Sequence, residues 1–168
     1  MTKATEADRS RKTWIRISSG IVAVLALSIG GVVYVGTTVV PAQNAANDAT
    51  ACKTFLVANN DASLAFVKAI SGATSSTSVI TGINKYVPLI EAGVHNALGI
   101  ATPKGAVATG LLAVSSKVAT LDKTSDASLN ASFGLLYNAV SDNIVSCKAV
   151  LKKAHIPAPT IDPSALGN

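Results

Sequence analysis

Residues 126–154 read DASLNASFGLLYNAVSDNIVSCKAVLKKA. Leu129, Phe133, Leu136, Val140, Ile144, Cys147, Leu151 and Ala154 recur at intervals of four and three. Such spacing lays apolar side chains along one face of an α-helix, with a period near 3.5. No apolar–polar alternation of the strand type competes with it. Thr124-Ser125-Asp126 offers a capping residue at the front, and Pro157 stops the segment at the back. The longest periodic segment is therefore a helix, and it points to an all-α fold.

Three more stripes precede it. Val107, Leu111, Val114, Val118 and Leu121 make a third helix, opened by a turn at Thr102-Pro103-Lys104-Gly105 with Thr102 as cap. Ile80, Ile83, Val87, Ile90, Val94 and Ala97 make a second, and Pro88 within it predicts a kink or a break. Cys52, Leu56, Asn59, Ser63, Phe66 and Ile70, with Phe55 and Val67 beside them, make the first. Asn47 or Asp48 is its expected cap, and Ser71-Gly72 its end, before a small polar loop at residues 73–78. Asn59 and Ser63 read as a locally satisfied polar pair on the inner stripe. Four stripes joined by short loops predict an antiparallel up-down four-helix bundle over residues 48–156.

The bundle brings its two cysteines together. Cys52 lies early in the first helix and Cys147 late in the fourth, both on inner stripes. In an up-down arrangement those positions share one end of the molecule. In an oxidising compartment they form a disulfide; in a reducing one they remain two buried thiols.

The compartment is argued from residues 15–40, IRISSGIVAVLALSIGGVVYVGTTVV. A bilayer core of roughly 30 Å takes about 20 apolar residues as a helix. Trp14 and Tyr34 flank the run about 30 Å apart along such a helix, where headgroup-level aromatics sit. Arg11, Lys12 and Arg16 stand among the cations before it, and the first cation after it is Lys53. The positive-inside rule keeps the N-terminus in the cytoplasm and places the rest outside the cell membrane. The predicted organisation is a cytoplasmic basic tail (1–13), a transmembrane signal anchor (14–40) and a juxtamembrane joint (41–47). The bundle (48–156) and a Pro-rich tail (157–168) follow. The alternative is cleavage near Ala42, where small residues suit a signal peptidase, and secretion. Ser10–Arg16 also resembles a twin-arginine export signal, with Lys in place of the second Arg. Ser19, Ala23, Ala26 and Gly30 form a small-residue strip that suits self-association in lipid.

The net charge of +5 hides a split. Residues 43–168 carry nine Lys against seven Asp or Glu, and no Arg. Without the planar, bidentate guanidinium, this part is not a nucleic-acid binder. Catalytic constellations are missing from the pattern as well: there is no Gly-rich phosphate loop after a strand and no nucleophile elbow. His95 and His155 are the two histidines, and no His or Cys pair has metal-ligand spacing. Glu91 and His95, one turn apart, can form an ion pair or a base with its orienter. Asn130-Ala131-Ser132 matches a glycosylation acceptor, of use only in a eukaryotic secretory route. No cofactor is implied.

Ala51-Cys52-Lys53-Thr54-Phe55 in an Ala-rich first helix, with Cys147 late in the last, resembles small exported helical proteins of actinobacteria. Those join a membrane segment or lipobox to an Ala-rich helical bundle. The resemblance covers about residues 50–152 and implies no activity. This chain departs from the lipoproteins among them, because no Cys follows its apolar run, and it uses Lys and Thr where they tend to use Arg and Ala.

Two functions fit. One is a non-enzymatic, membrane-tethered extracytoplasmic module that binds a protein partner or a cell-envelope component. The other is a carrier of a small apolar ligand, lipid or haem, between its helices, with His95, Tyr86 or Tyr137 as candidate haem ligands.

Overall fold

The computed structural model describes residues 40–71 and 76–161 of the 168. They form four helices: α1 (Val40–Ile70), α2 (Ser76–Leu98), α3 (Ala106–Ala119) and α4 (Asp126–Lys153). No strand occurs among the described residues. The all-α expectation and the Cys52–Cys147 bond are both met. The predicted membrane anchor, with Trp14, Tyr34, Arg11, Lys12, Arg16 and the strip Ser19, Ala23, Ala26, Gly30, lies outside the described residues. Among those described, no helix is long and apolar enough to cross a membrane.

The first helix begins earlier than its apolar stripe suggests. Residues 41–47, expected as a joint, are helical, and neither Asn47 nor Asp48 is a cap. Pro41 stands in the first turn, where its missing N–H has no intrahelical partner to lose. The alanines that follow are the best helix formers and carry no stripe to read. At the other end Ser71 closes α1, its backbone N–H and its hydroxyl both donating to the Val67 carbonyl.

Pro88 neither breaks α2 nor opens a new helix. Proline at 88 removes the hydrogen bond to the Asn84 carbonyl, but Asn84 and Pro88 are both exposed, so water can serve that oxygen. The α2–α3 turn corrects a second expectation. Thr102 does not cap α3; Gly105 is the N-cap, without a side-chain bond. The Thr102 hydroxyl instead donates to the Asn44 carbonyl at 3.0 Å, and its N–H donates to Asp48 Oδ1 at 2.9 Å. Pro103 and Lys104 occupy the tight bend, with Lys104 at φ 61° and the Gly105 N–H donating to the Thr102 carbonyl.

The fourth helix is capped at both ends. Ser125 Oγ accepts from the Ser128 N–H at 3.1 Å, and Asp126 in the first turn opposes the helix dipole. After Ala154, His155 takes a left-handed conformation at φ 57°. The His155 N–H donates to the Lys152 carbonyl, and the Ile156 N–H to the Leu151 carbonyl. This paired closure satisfies carbonyls that the helix end would otherwise leave open. Pro157 follows immediately, unable to continue the helix.

Named contacts fix the helix directions. Along α1 in the sense 58, 59, 66, its partners on α2 are Gly93, Tyr86 and Gly82, so the two helices are antiparallel. Cys52 and Phe66 of α1 meet Cys147 and Phe133 of α4, again antiparallel. Gly110 of α3 lies against Asn143 of α4, and the Asp122 N–H just after α3 donates to Ser132 Oγ early in α4. The core is mostly aliphatic and small: Ala51, Cys52, Phe55, Ile90, Ala97, Leu111, Leu136 and Leu151 are sealed from solvent. On α4 the inner line runs through Asn143, while Ile144 is half-buried. That exchange follows from Gly110, whose bare Cα makes room for the amide.

Candidate functional site

A groove on the described surface has the features of a contact site. It lies between α1 and α2, encloses about 280 Å³, and is lined by Thr54, Val57, Ala58, Asp61, Leu89 and Gly93 among others. Its floor is narrow because Gly93 lets α2 close on α1, and a methyl at 93 would overlap the Ala58 side chain. Its rims are Val57 and Leu89, 43% and 40% exposed. Exposed aliphatics beside a small-residue floor make a shallow apolar notch, with Asp61 as its ionisable group. The outward positions of Val57 and Leu89 carry no periodic signal, so the stripes could not reveal them. Ala58 and Gly93 were the available clue, and a close approach can be read from them only when the partner helix is known.

Inside the unit, the polar groups serve structure. The Tyr86 hydroxyl donates to Asn59 Oδ1 at 3.1 Å, both residues being buried. Asn59 is thus satisfied across the α1–α2 interface, not by Ser63 as the sequence suggested. Burial pushes the Tyr86 phenol well above its ordinary range, and the neighbouring Tyr137 adds to the rise. Its ring also packs edge-on against Phe66 and Phe133, with centroids 6.3 and 5.5 Å away, while those two stack at 5.9 Å. Asn143, 3% exposed, has neither its amide nitrogen nor its oxygen hydrogen-bonded. An unpaired buried amide costs roughly 1–3 kcal/mol, and the two-residue clasp with Gly110 holds it in place.

The other sequence candidates do not converge. Glu91 and His95 sit one turn apart on a solvent-exposed face of α2. No hydrogen bond or ion pair links them among the described residues. Tyr86 and His95, nine positions apart on one helix, face opposite sides of it: Tyr86 is buried and His95 exposed. Tyr137 is 58% exposed on α4. The three proposed haem ligands therefore form no common axial site. Among the described residues no group of three His, Cys, Asp or Glu side chains could hold a metal ion. The two cysteines do meet: Cys52 and Cys147 are bonded with Cα atoms 5.0 Å apart, and both are buried.

In comparison with known proteins, no family model matches this chain, and no curated protein or solved structure matches it either.

Proposed function

We propose that this chain is a membrane-tethered module outside the cytoplasm that works by binding a protein partner or a cell-envelope component, and not by catalysis. The observation that carries this reading is the enclosed Cys52–Cys147 bond. A stable disulfide belongs to compartments where thiols oxidise, which is where the apolar run of residues 15–40 and its preceding cations send the following chain. The side chains able to do acid–base work are engaged elsewhere or solvated. Tyr86 is bonded to Asn59, and Glu91 and His95 face water. The notch between α1 and α2, with Val57 and Leu89 on its rims, supplies a contact surface of the apolar-centre kind found in transient interfaces.

The intact mass of the mature protein, taken from a membrane fraction with and without reductant, tests the reading. An uncut chain that gains two hydrogens on reduction is the expected result. A chain cut near Ala42 would replace the tether with a secreted form. Two free thiols in the native protein would remove the oxidising compartment. Lipid or a chromophore purifying with the folded chain would favour the carrier instead.

A further inference from the structure

One end of the four-helix unit carries a concentration of unpaired cations. Lys53 follows Cys52 and Lys148 follows Cys147, and the disulfide fixes those two positions side by side. Lys152 and Lys153 lie further along α4 toward the same end. Lys104 sits in the α2–α3 turn, which Thr102 ties to Asn44 and Asp48 of α1. All five are exposed, and among the described residues none joins an ion pair. Among the described residues the acid at this end is Asp48, whose Oδ1 already accepts the Thr102 N–H. The opposite end is mixed: Lys117 in the last turn of α3 and Lys123 in the loop after it lie near Asp122 in that loop and Asp126 in the first turn of α4.

We propose that this lysine-bearing end binds the headgroups of anionic phospholipids, an inference that rests on the tethered reading above. The chemistry favours a lipid surface over a shaped phosphate site. Lysine is a strongly hydrated point charge on a flexible stem, suited to a diffuse layer of negative charge, and residues 43–168 hold no guanidinium to grip one phosphate in a fixed plane. Each lysine near such a surface adds roughly fivefold to partitioning. The first helix starts at this end of the four-helix unit.

The test uses the full chain reconstituted in vesicles of phosphatidylcholine, alone or mixed with phosphatidylglycerol. Lysines are labelled with a membrane-impermeant amine reagent and quantified by mass spectrometry. Labelling of Lys104, Lys148, Lys152 and Lys153 should fall several-fold in the mixed vesicles and recover in high salt. Lys68, Lys117 and Lys123 should be unaffected. Equal labelling at both ends would overturn the proposal. The triple variant Lys148→Gln, Lys152→Gln, Lys153→Gln should return Lys104 to its phosphatidylcholine level; continued protection would also overturn it. Labelling is read before an alkaline carbonate wash. Release in that wash counts against the tether, while the lysine comparison stands on its own.

Discussion

The two ends of the four-helix unit are held together by different means. At the end where α1 starts, a covalent bond joins Cys52 to Cys147, and two hydrogen bonds from Thr102 clasp α1 to the α2–α3 turn. Ala49 and Ala51 are buried beside them, with Phe55 and Leu151 one turn away. At the far end there is no crosslink. Phe66, Tyr86 and Phe133 pack there as a stacked pair with an edge-on third ring. A chain with only 4% aromatic residues has gathered three of its rings at one end and put sulfur at the other. Each alanine brings little apolar area, so the crosslink adds to what Phe55 and Leu151 bury at its end, while three touching rings supply area at the other.

Removing the crosslink should be the most damaging single change. For Cys52→Ala with Cys147→Ala, the chain-entropy model gives a loss of roughly 4–5 kcal/mol for a ring spanning 95 residues. Urea midpoints report it, and a loss under about 1 kcal/mol would mean this end holds by packing alone. Truncating Phe133 to Ala should cost about 3 kcal/mol, the lower part of the usual range because the ring is half-buried. A double-mutant cycle with Phe66→Ala should then return a coupling of about 1 kcal/mol. Strict additivity would show that the stacked geometry contributes nothing beyond buried area.

A smaller effect is expected at the polar edge of the ring cluster. Tyr86→Phe keeps the ring but strips Asn59 Oδ1 of its donor, for a loss of about 1–2 kcal/mol. The same substitution has a signature in pH. The folded state holds the Tyr86 proton more tightly than the unfolded chain, whose ordinary value is 10.0. Stability from this group is therefore complete below about pH 10 and is lost as pH rises toward the folded value. Native protein should lose stability through that alkaline window more steeply than the Tyr86→Phe variant, in urea midpoints measured across it. Equal slopes would show that the phenol is not enclosed. Smallest of all, and opposite in sign, His155→Gly should raise stability by about 0.5–1 kcal/mol, since glycine occupies a left-handed position without the Cβ penalty. No gain would mean that the imidazole offsets its own strain.

The pinned end was the more legible one. The cysteines fell on helical stripes at positions that any up-down order brings together, so their bond could be read from spacing. The helices themselves were legible for the same reason, because each buries a periodic face. What periodicity could not carry was lost. Residues 41–47 are helical through alanine propensity and have no stripe to announce it. Thr102 looked like a cap because its neighbours are turn formers, yet its hydroxyl is claimed by Asn44, 58 positions away. Asn143 displaced Ile144 from the inner line because of a glycine on another helix. The α1–α2 notch was illegible for a related reason: its rims point outward, and its floor exists only where Gly93 meets Ala58. Local chemistry marks where helices run, and pairwise chemistry between them decides which polar groups are spent.

The sulfur bridge also sets a path for force. A pull applied between the incoming chain and the C-terminal tail would pass from Cys52 directly to Cys147, bypassing everything between them. Only the stretches outside the ring would unravel under tension, and once Asn44 and Asp48 let go of Thr102 the notch, the aromatic cluster and both inner helices would carry no load. A domain wired in this way can hold its shape while its ends are stretched.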